Sequence, residues 1–217
     1  MPLVLIFLLF ALAFAVSRHC LGRHESAISR GRRLKAPQAL TGAEIALEFL
    51  KSQGIEDVQI TEHNGVVSDY YDPARRRLFL RREFMEGTDL AAWAVALHEA
   101  AHAMQTGEVL DDLKWRRSCI KMTRYVPTLA GILSIALMFL KVLTPRHAIL
   151  ALAAVCVVVL LLNIGSLAVE RNANLRLRLF LEDKLGSHTE AHEQIGRLLS
   201  AMALREVGDL IRSPRYF

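Results

Sequence analysis

Apolar residues in this chain are gathered into blocks. Residues 1–16 are almost purely apolar, residues 126–143 are apolar apart from Thr128, Ser134 and Lys141, and residues 148–169 are interrupted only by Asn163 and Ser166. As a helix the third block spans about 33 Å, enough to cross a hydrocarbon core of about 30 Å. The first two are shorter, and Arg18 and Lys141 at their ends can snorkel to the interface. The pattern predicts three transmembrane helices, an anchor at 1–17 and a two-span hairpin at 126–169. The first block has no basic residue ahead of it and no small-x-small cleavage site after it, so it is expected to stay as an anchor rather than leave as a signal peptide.

Between the blocks the period changes. Residues 18–36 are basic and polar, with Gly22 and Gly31, and suit a juxtamembrane linker. Thr41 and Glu44 have the spacing of a capping box, opening a short helix that carries Ile45, Leu47, Phe49 and Leu50 and stops near Gly54. Residues 57–61 alternate as a strand does, and residues 66–68 and 76–81 are further strand candidates, set off by turn signals at Asn64-Gly65 and Asp72-Pro73. The Leu78-Phe79-Leu80 strand reads either as a free edge that holds extended substrate or as an inward core strand. Residues 91–105 form an almost wholly apolar helix, with Thr88 or Asp89 placed to cap it. Beyond the third block a helix runs over 170–183 with Leu175 and Leu179 on one side, and Gly186 stops it. Ser187 and Glu190 form a second capping-box pattern before a helix carrying Ile195, Leu198, Leu199, Met202 and Leu210.

The chain has 217 residues, is 53% hydrophobic and carries a formal net charge of +5, which excludes an ordinary soluble domain. Lysine and arginine crowd residues 18–35, 114–124 and 171–178, while the loop between the second and third spans holds only Lys141 and Arg146. The positive-inside bias therefore places 18–125 and 170–217 in the cytoplasm. That placement fits anionic headgroups of a lipid bilayer, and no nucleic-acid module accompanies the basic surplus. Cys20, Cys119 and Cys156 are an odd number without metal-type spacing, so no disulfide framework is expected. Cys20 and Cys119 are juxtamembrane, where lipidation is possible.

The apolar helix at 91–105 carries His98, Glu99 and His102. Two histidines four apart leave one helical face and can share a tetrahedral Zn²⁺. Glu99 stands beside the first as a general base rather than a ligand. The same pattern arises by chance in about 1 chain in 100 of this length, and a satisfied core histidine is the bland alternative. Three ionisable groups on a helix that must be buried are hard to explain without a metal. His188 and His192 repeat the spacing in a polar first turn with Glu190 at the wrong offset, and read as a solvated pair.

With these residues in view, the chain resembles the YugP-type family of membrane-bound neutral zinc metallopeptidases. The likeness is carried by residues 40–44, by Tyr71-Asp72-Pro73, by the helix with His98, Glu99, His102 and Gln105, and by Val169-Glu170-Arg171-Asn172-Ala173 after two spans. The resemblance implies zinc-dependent peptidase activity, with metal ligands at His98, His102 and Glu170 and Glu99 as base. Ala101 stands where the family usually has glycine. Tyr70 stands where it tends to have histidine; a tyrosine hydroxyl there can still donate to a developing oxyanion. The expected fold is an α+β membrane protein. It joins three transmembrane helices to a small zincin-like cytoplasmic domain at 37–125, a short sheet with the histidine helix, and to C-terminal helices at 170–217 that supply the third ligand.

Glu108 competes with Glu170 for that role, because it lies six residues beyond His102, the metzincin offset. Those sites have a glycine three residues after the second histidine; here Gln105 holds that position and Gly107 arrives late. A straight helix would carry Glu108 about 9 Å along the axis from His102. Asn163, Ser166, Glu170 and Asn174 fall on one face of the later helix, polar where lipid forbids it, so that face is expected to turn inward with Asn174 steadying a ligand. The reading is of a membrane-bound zinc peptidase whose substrates are peptides or membrane proteins. Its rivals are a catalytically silent zinc-binding scaffold and a zinc hydrolase of non-peptide amides or esters.

Overall fold

The computed structural model describes residues 2–64 and 68–208, and the side chains among them except those of residues 2, 3 and 117–124. The described helices are α1 (Pro2–Gly31), α2 (Gly42–Ser52), α3 (Arg82–Met85), α4 (Leu90–Ala101), α5 (Glu108–Phe139), α6 (Pro145–Gly165), α7 (Leu167–Arg176), α8 (Arg178–Leu185), α9 (Thr189–Met202) and α10 (Arg205–Gly208). The strands are β1 (Gln59–Glu62), β2 (Tyr70–Asp72) and β3 (Arg77–Leu80). The protein is mostly helical with one small sheet. It divides into two compact units, one of residues 2–22, 112–167 and 204–208, the other of residues 23–111 and 168–203.

Among the described residues two helical segments are long and apolar enough to cross a membrane, beginning at Val4 in α1 and at Pro145 in α6. The second expected span is shorter than its apolar block. Residues 126–139 of the block are helical, the end of a helix that begins at Glu108, and cover about 21 Å at the α-helical rise. α5 stops at Phe139 and Lys141 adopts a left-handed φ of 57°, so residues 140–143 go into the turn rather than the helix. Phe7, Leu8 and Leu12 on α1, Ile132 and Leu133 on α5 and Ile149 and Leu161 on α6 expose most of their surface, while Ala13, Cys20, Leu160 and Val207 form a small core. The Ser17 hydroxyl donates to the Val207 carbonyl at 2.9 Å. The basic stretch expected as a linker is helical as far as Gly31, because α1 continues through it.

The second unit is built around α4, all twelve of whose residues are buried. α2 and α9 pack along it most extensively, with α3 and the sheet against it too. α2 opens with the expected capping box: Thr41 Oγ1 accepts from Glu44 N at 3.2 Å and Glu44 Oε2 accepts from Thr41 N at 2.7 Å. Gly42, its first residue, lies so close to its neighbours that a Cβ there would stand 2.1 Å from the Phe84 carbonyl oxygen and 2.9 Å from that of Ala92. Gly54, with φ of 69°, lies just past its end.

The sheet has the order β1-β3-β2, with β1 parallel and β2 antiparallel to β3. β2 was not expected. The tyrosine pair and Asp72 pair with β3 through a turn in which Asp72 Oδ1 accepts from Ala74 N and Arg75 N. Being central, β3 offers no free edge, so Leu78-Phe79-Leu80 cannot add a substrate strand; Leu78 and Leu80 are buried core residues. Of the strand expected at 66–68, residues 66 and 67 lie outside the described residues, as do Leu210 and the Cys119 side chain.

After the third apolar block, Leu175 and Leu179 are 69% and 79% exposed; the inward residues are Ala173, Leu177, Phe180 and Leu181. α9 begins at Thr189 with His188 in the cap position and no side-chain capping bond, so the second capping box does not form.

The close approach at Gly42 yields a stability prediction. Gly42→Ala should cost about 1–3 kcal/mol by overpacking, more than the roughly 1 kcal/mol lost with the cap in Thr41→Ala. Melting of the two detergent-solubilised variants beside the parent chain measures both.

Candidate metal centre

The site forms where α4 ends. Asp89 caps that helix by accepting from Ala92 N at 2.9 Å, and the Trp93 indole donates to the Leu40 carbonyl at 2.8 Å, fixing the helix lengthwise. Alanines along α4 let its neighbours close in: a Cβ on Gly31 would meet Ala91 Cβ at 3.1 Å. His98 lies in the last turn of α4. His102 opens a tight 3₁₀ turn over His102–Met104, and the two imidazoles stand edge to face with centroids 5.1 Å apart.

α7 brings Glu170 to these rings. Its Oε2 lies 2.7 Å from His98 Nε2 and its Oε1 lies 3.7 Å from His102 Nε2. One ligand atom from each of the three residues falls within 4.8 Å of the others, and all three side chains are 1–3% exposed.

Two amides set the imidazoles. Asn174 Nδ2 donates to the Leu199 carbonyl at 2.8 Å, which leaves its Oδ1 facing His98 Nδ1, also at 2.8 Å. Gln105 Nε2 donates to the Val169 carbonyl at 2.8 Å, which leaves its Oε1 facing His102 Nδ1 at 2.9 Å. Reversing either amide would set two acceptors against each other. Each Nδ1 is therefore the N–H donor, and each neutral ring keeps its lone pair on Nε2, the atom turned to Glu170.

Two imidazole lone pairs and a carboxylate meeting in a dry space repel unless a proton or a cation lies among them. Burial by itself pushes the His98 imidazolium down, but the charge and hydrogen bond of Glu170, the charge of Glu99 and the bond to Asn174 together hold its pKa above the ordinary value. The donor set is two nitrogens and one carboxylate oxygen, a set zinc takes, and the second hydrogen bonds on the histidines are those metal-binding imidazoles usually carry. The residues present fit a zinc ion.

Glu99, next along α4, is 2% exposed, and its charge acts on His98. Tyr70 is half-buried in β2, its ring stacked on Phe79 at 4.8 Å and tilted toward His63 at 6.0 Å. Glu108 is exposed at the start of α5 and is not among the clustered ligand atoms. The helix expected to run straight through Gln105 does not: α4 ends at Ala101, Gln105 is extended with ψ of 131°, and Gly107 turns the chain with φ of 59°. Asn163 and Ser166 are buried as expected, with the Ser166 hydroxyl donating to the Asn163 carbonyl at 2.7 Å. His188 and His192 belong to no cluster of metal-ligand geometry among the described residues. Sequence reasoning had no role for Gln105 at the site; a polar side chain in an apolar turn three residues after His102 was the available signal.

Comparison with known proteins agrees with this chemistry. No solved structure matches the chain. The chain is 29% identical over 175 residues to the "Putative membrane protease YugP" of Bacillus subtilis (strain 168), covering 81% of this chain and 76% of that one. A family model described as "Putative neutral zinc metallopeptidase" matches residues 4–213, nearly the whole chain, and the protein belongs to that family.

Proposed function

We propose that the chain is a membrane-bound zinc metallopeptidase that hydrolyses peptide bonds at the cytoplasmic membrane surface. The carrying observation is the pair of imidazoles whose Nδ1 atoms are bound by Asn174 and Gln105 and whose Nε2 atoms face Glu170. Membership of a zinc peptidase family supports it, as does the membrane protease among the relatives.

His98 and His102 hold the metal through Nε2 and Glu170 through its carboxylate. Bound there, zinc supplies Lewis acidity, polarising the scissile carbonyl and acidifying water. Glu99 takes the proton from the attacking water and returns it to the departing amine nitrogen. Tyr70 donates its hydroxyl proton in a hydrogen bond to the developing oxyanion. Near-complete burial of the metal-centre side chains is the one observation that favours a second reading, zinc held as a structural staple in a silent scaffold.

The placement proposed is three spans, at 1–17 and within 126–169, with 18–125 and 170–217 cytoplasmic. Parity supports the short middle span. His102 and Glu170 meet, so the chain between them crosses a bilayer an even number of times. If α6 crosses, the apolar end of α5 crosses too. Substrates reaching such a site are membrane proteins or their cytoplasmic ends.

Purified protein should hold one zinc per chain and lose it in His98→Ala or His102→Ala. Glu99→Gln should keep the metal while hydrolysis falls about 10²- to 10⁴-fold, the range of a general base; normal turnover in that variant removes Glu99 as the base, and a zinc-loaded parent without hydrolysis leaves the staple. Glu170→Gln should lose zinc and activity while Glu108→Gln keeps both, and the opposite pattern sinks the ligand assignment. Reporters fused after Ser52 and at the C-terminus should both read cytoplasm. Disagreement between them breaks the shared site.

A further inference from the structure

We infer that Gln105 is a positioning residue of the metal centre, fixing the His102 ring with Nδ1 protonated and tying it to the helix that carries Glu170. The inference rests on the metal-centre reading above and adds the group that sets its second imidazole.

The orientation is dictated from outside inward. A guanidinium has donors and no acceptor, so where Arg176 Nε meets Asn172 at 3.0 Å it meets the amide oxygen. That oxygen then faces Gln105 Nε2 at 3.4 Å, and the Val169 carbonyl, which can only accept, faces the same nitrogen at 2.8 Å. Turning the Gln105 amide over would set Oε1 against two acceptors. Oε1 is therefore held on His102 Nδ1 at 2.9 Å and can only accept the ring proton. Gln105 is 2% exposed, so no bulk water competes for these bonds.

The backbone delivers the amide. Gln105 N donates to the His102 carbonyl at 3.2 Å, closing the turn that places ring and amide side by side. Val169 immediately precedes Glu170, so a single side chain binds both the second imidazole and the backbone beside the carboxylate.

A glutamine that merely filled a buried corner would affect stability and leave ring chemistry alone. The test reads the ring. In ¹⁵N-histidine-labelled, metal-free full-length chain, the signals lost in His102→Ala identify that imidazole, and its ¹⁵N shifts report the tautomer. The expected result is Nδ1 protonation in the parent and loss of that preference in Gln105→Met. Gln105→Glu, which keeps an acceptor toward Nδ1 but no donor toward Val169, should restore it. Zinc affinity, read by chelator competition, should weaken about 10- to 100-fold in Gln105→Met and recover most of that loss in Gln105→Glu. An Nε2-protonated ring in the parent overturns the inference, as does an unchanged tautomer in Gln105→Met or equal zinc loss in both variants. Parent protein without zinc but with the expected tautomer shift overturns the metal reading and sustains the role of Gln105.

Discussion

Everything in the second unit follows from burying a carboxylate between two imidazoles. Desolvating three such groups is tolerable only if each finds compensating charge and hydrogen bonds. For the two rings the chain supplies neutral amides, each anchored by a backbone carbonyl: Asn174, held by Leu199, on His98 and Gln105, held by Val169, on His102. These fix geometry as well as charge, because an amide with both ends engaged cannot reverse. The apolar character of α4 serves the same end, since alanine lets α2 and α9 lie against it and seal the site from water.

Tight packing around α4 leaves the sheet a supporting role. Its central strand turns Leu78 and Leu80 into the core and has partners on both sides. Asp69, 1% exposed, pins the end of that strand by accepting from the Arg81 backbone at 2.6 Å and from its guanidinium at 2.9 and 3.0 Å. Arg81 in turn lies over the Phe84 ring of α3, which packs on α4. Charge and packing together thus carry rigidity from the sheet to α4.

Much of this was legible in the residues, wherever a local rule decides the outcome. The Thr41–Glu44 box and the burial of α4 each depend on spacing along one helix. The failures lie where distant parts of the chain decide. Tyr70–Asp72 is a strand because β3 is there to pair with it, and nothing in three residues announces that. The straight run through Gln105 failed because the glutamine's partners, Val169 and Asn172, lie more than sixty residues away. Leu175 and Leu179 share one side of the helical stretch as their spacing implies, but Ala173 and Leu177 take the buried side, a choice that spacing alone does not make. The apolar end of α5 stops at Phe139, short of its apolar block, where Lys141 turns left-handed just after the helix end, a backbone event that hydropathy does not register.

The separation of His102 from Glu170 along the chain also bears on biogenesis. A ribosome delivers both imidazoles before it has made the apolar end of α5, α6 or the carboxylate, and the Leu199 carbonyl that orients Asn174 comes later still. No nascent chain ending within the hairpin holds the complete cluster. A newly made copy therefore acquires its third ionisable group only after both apolar helices have been synthesised.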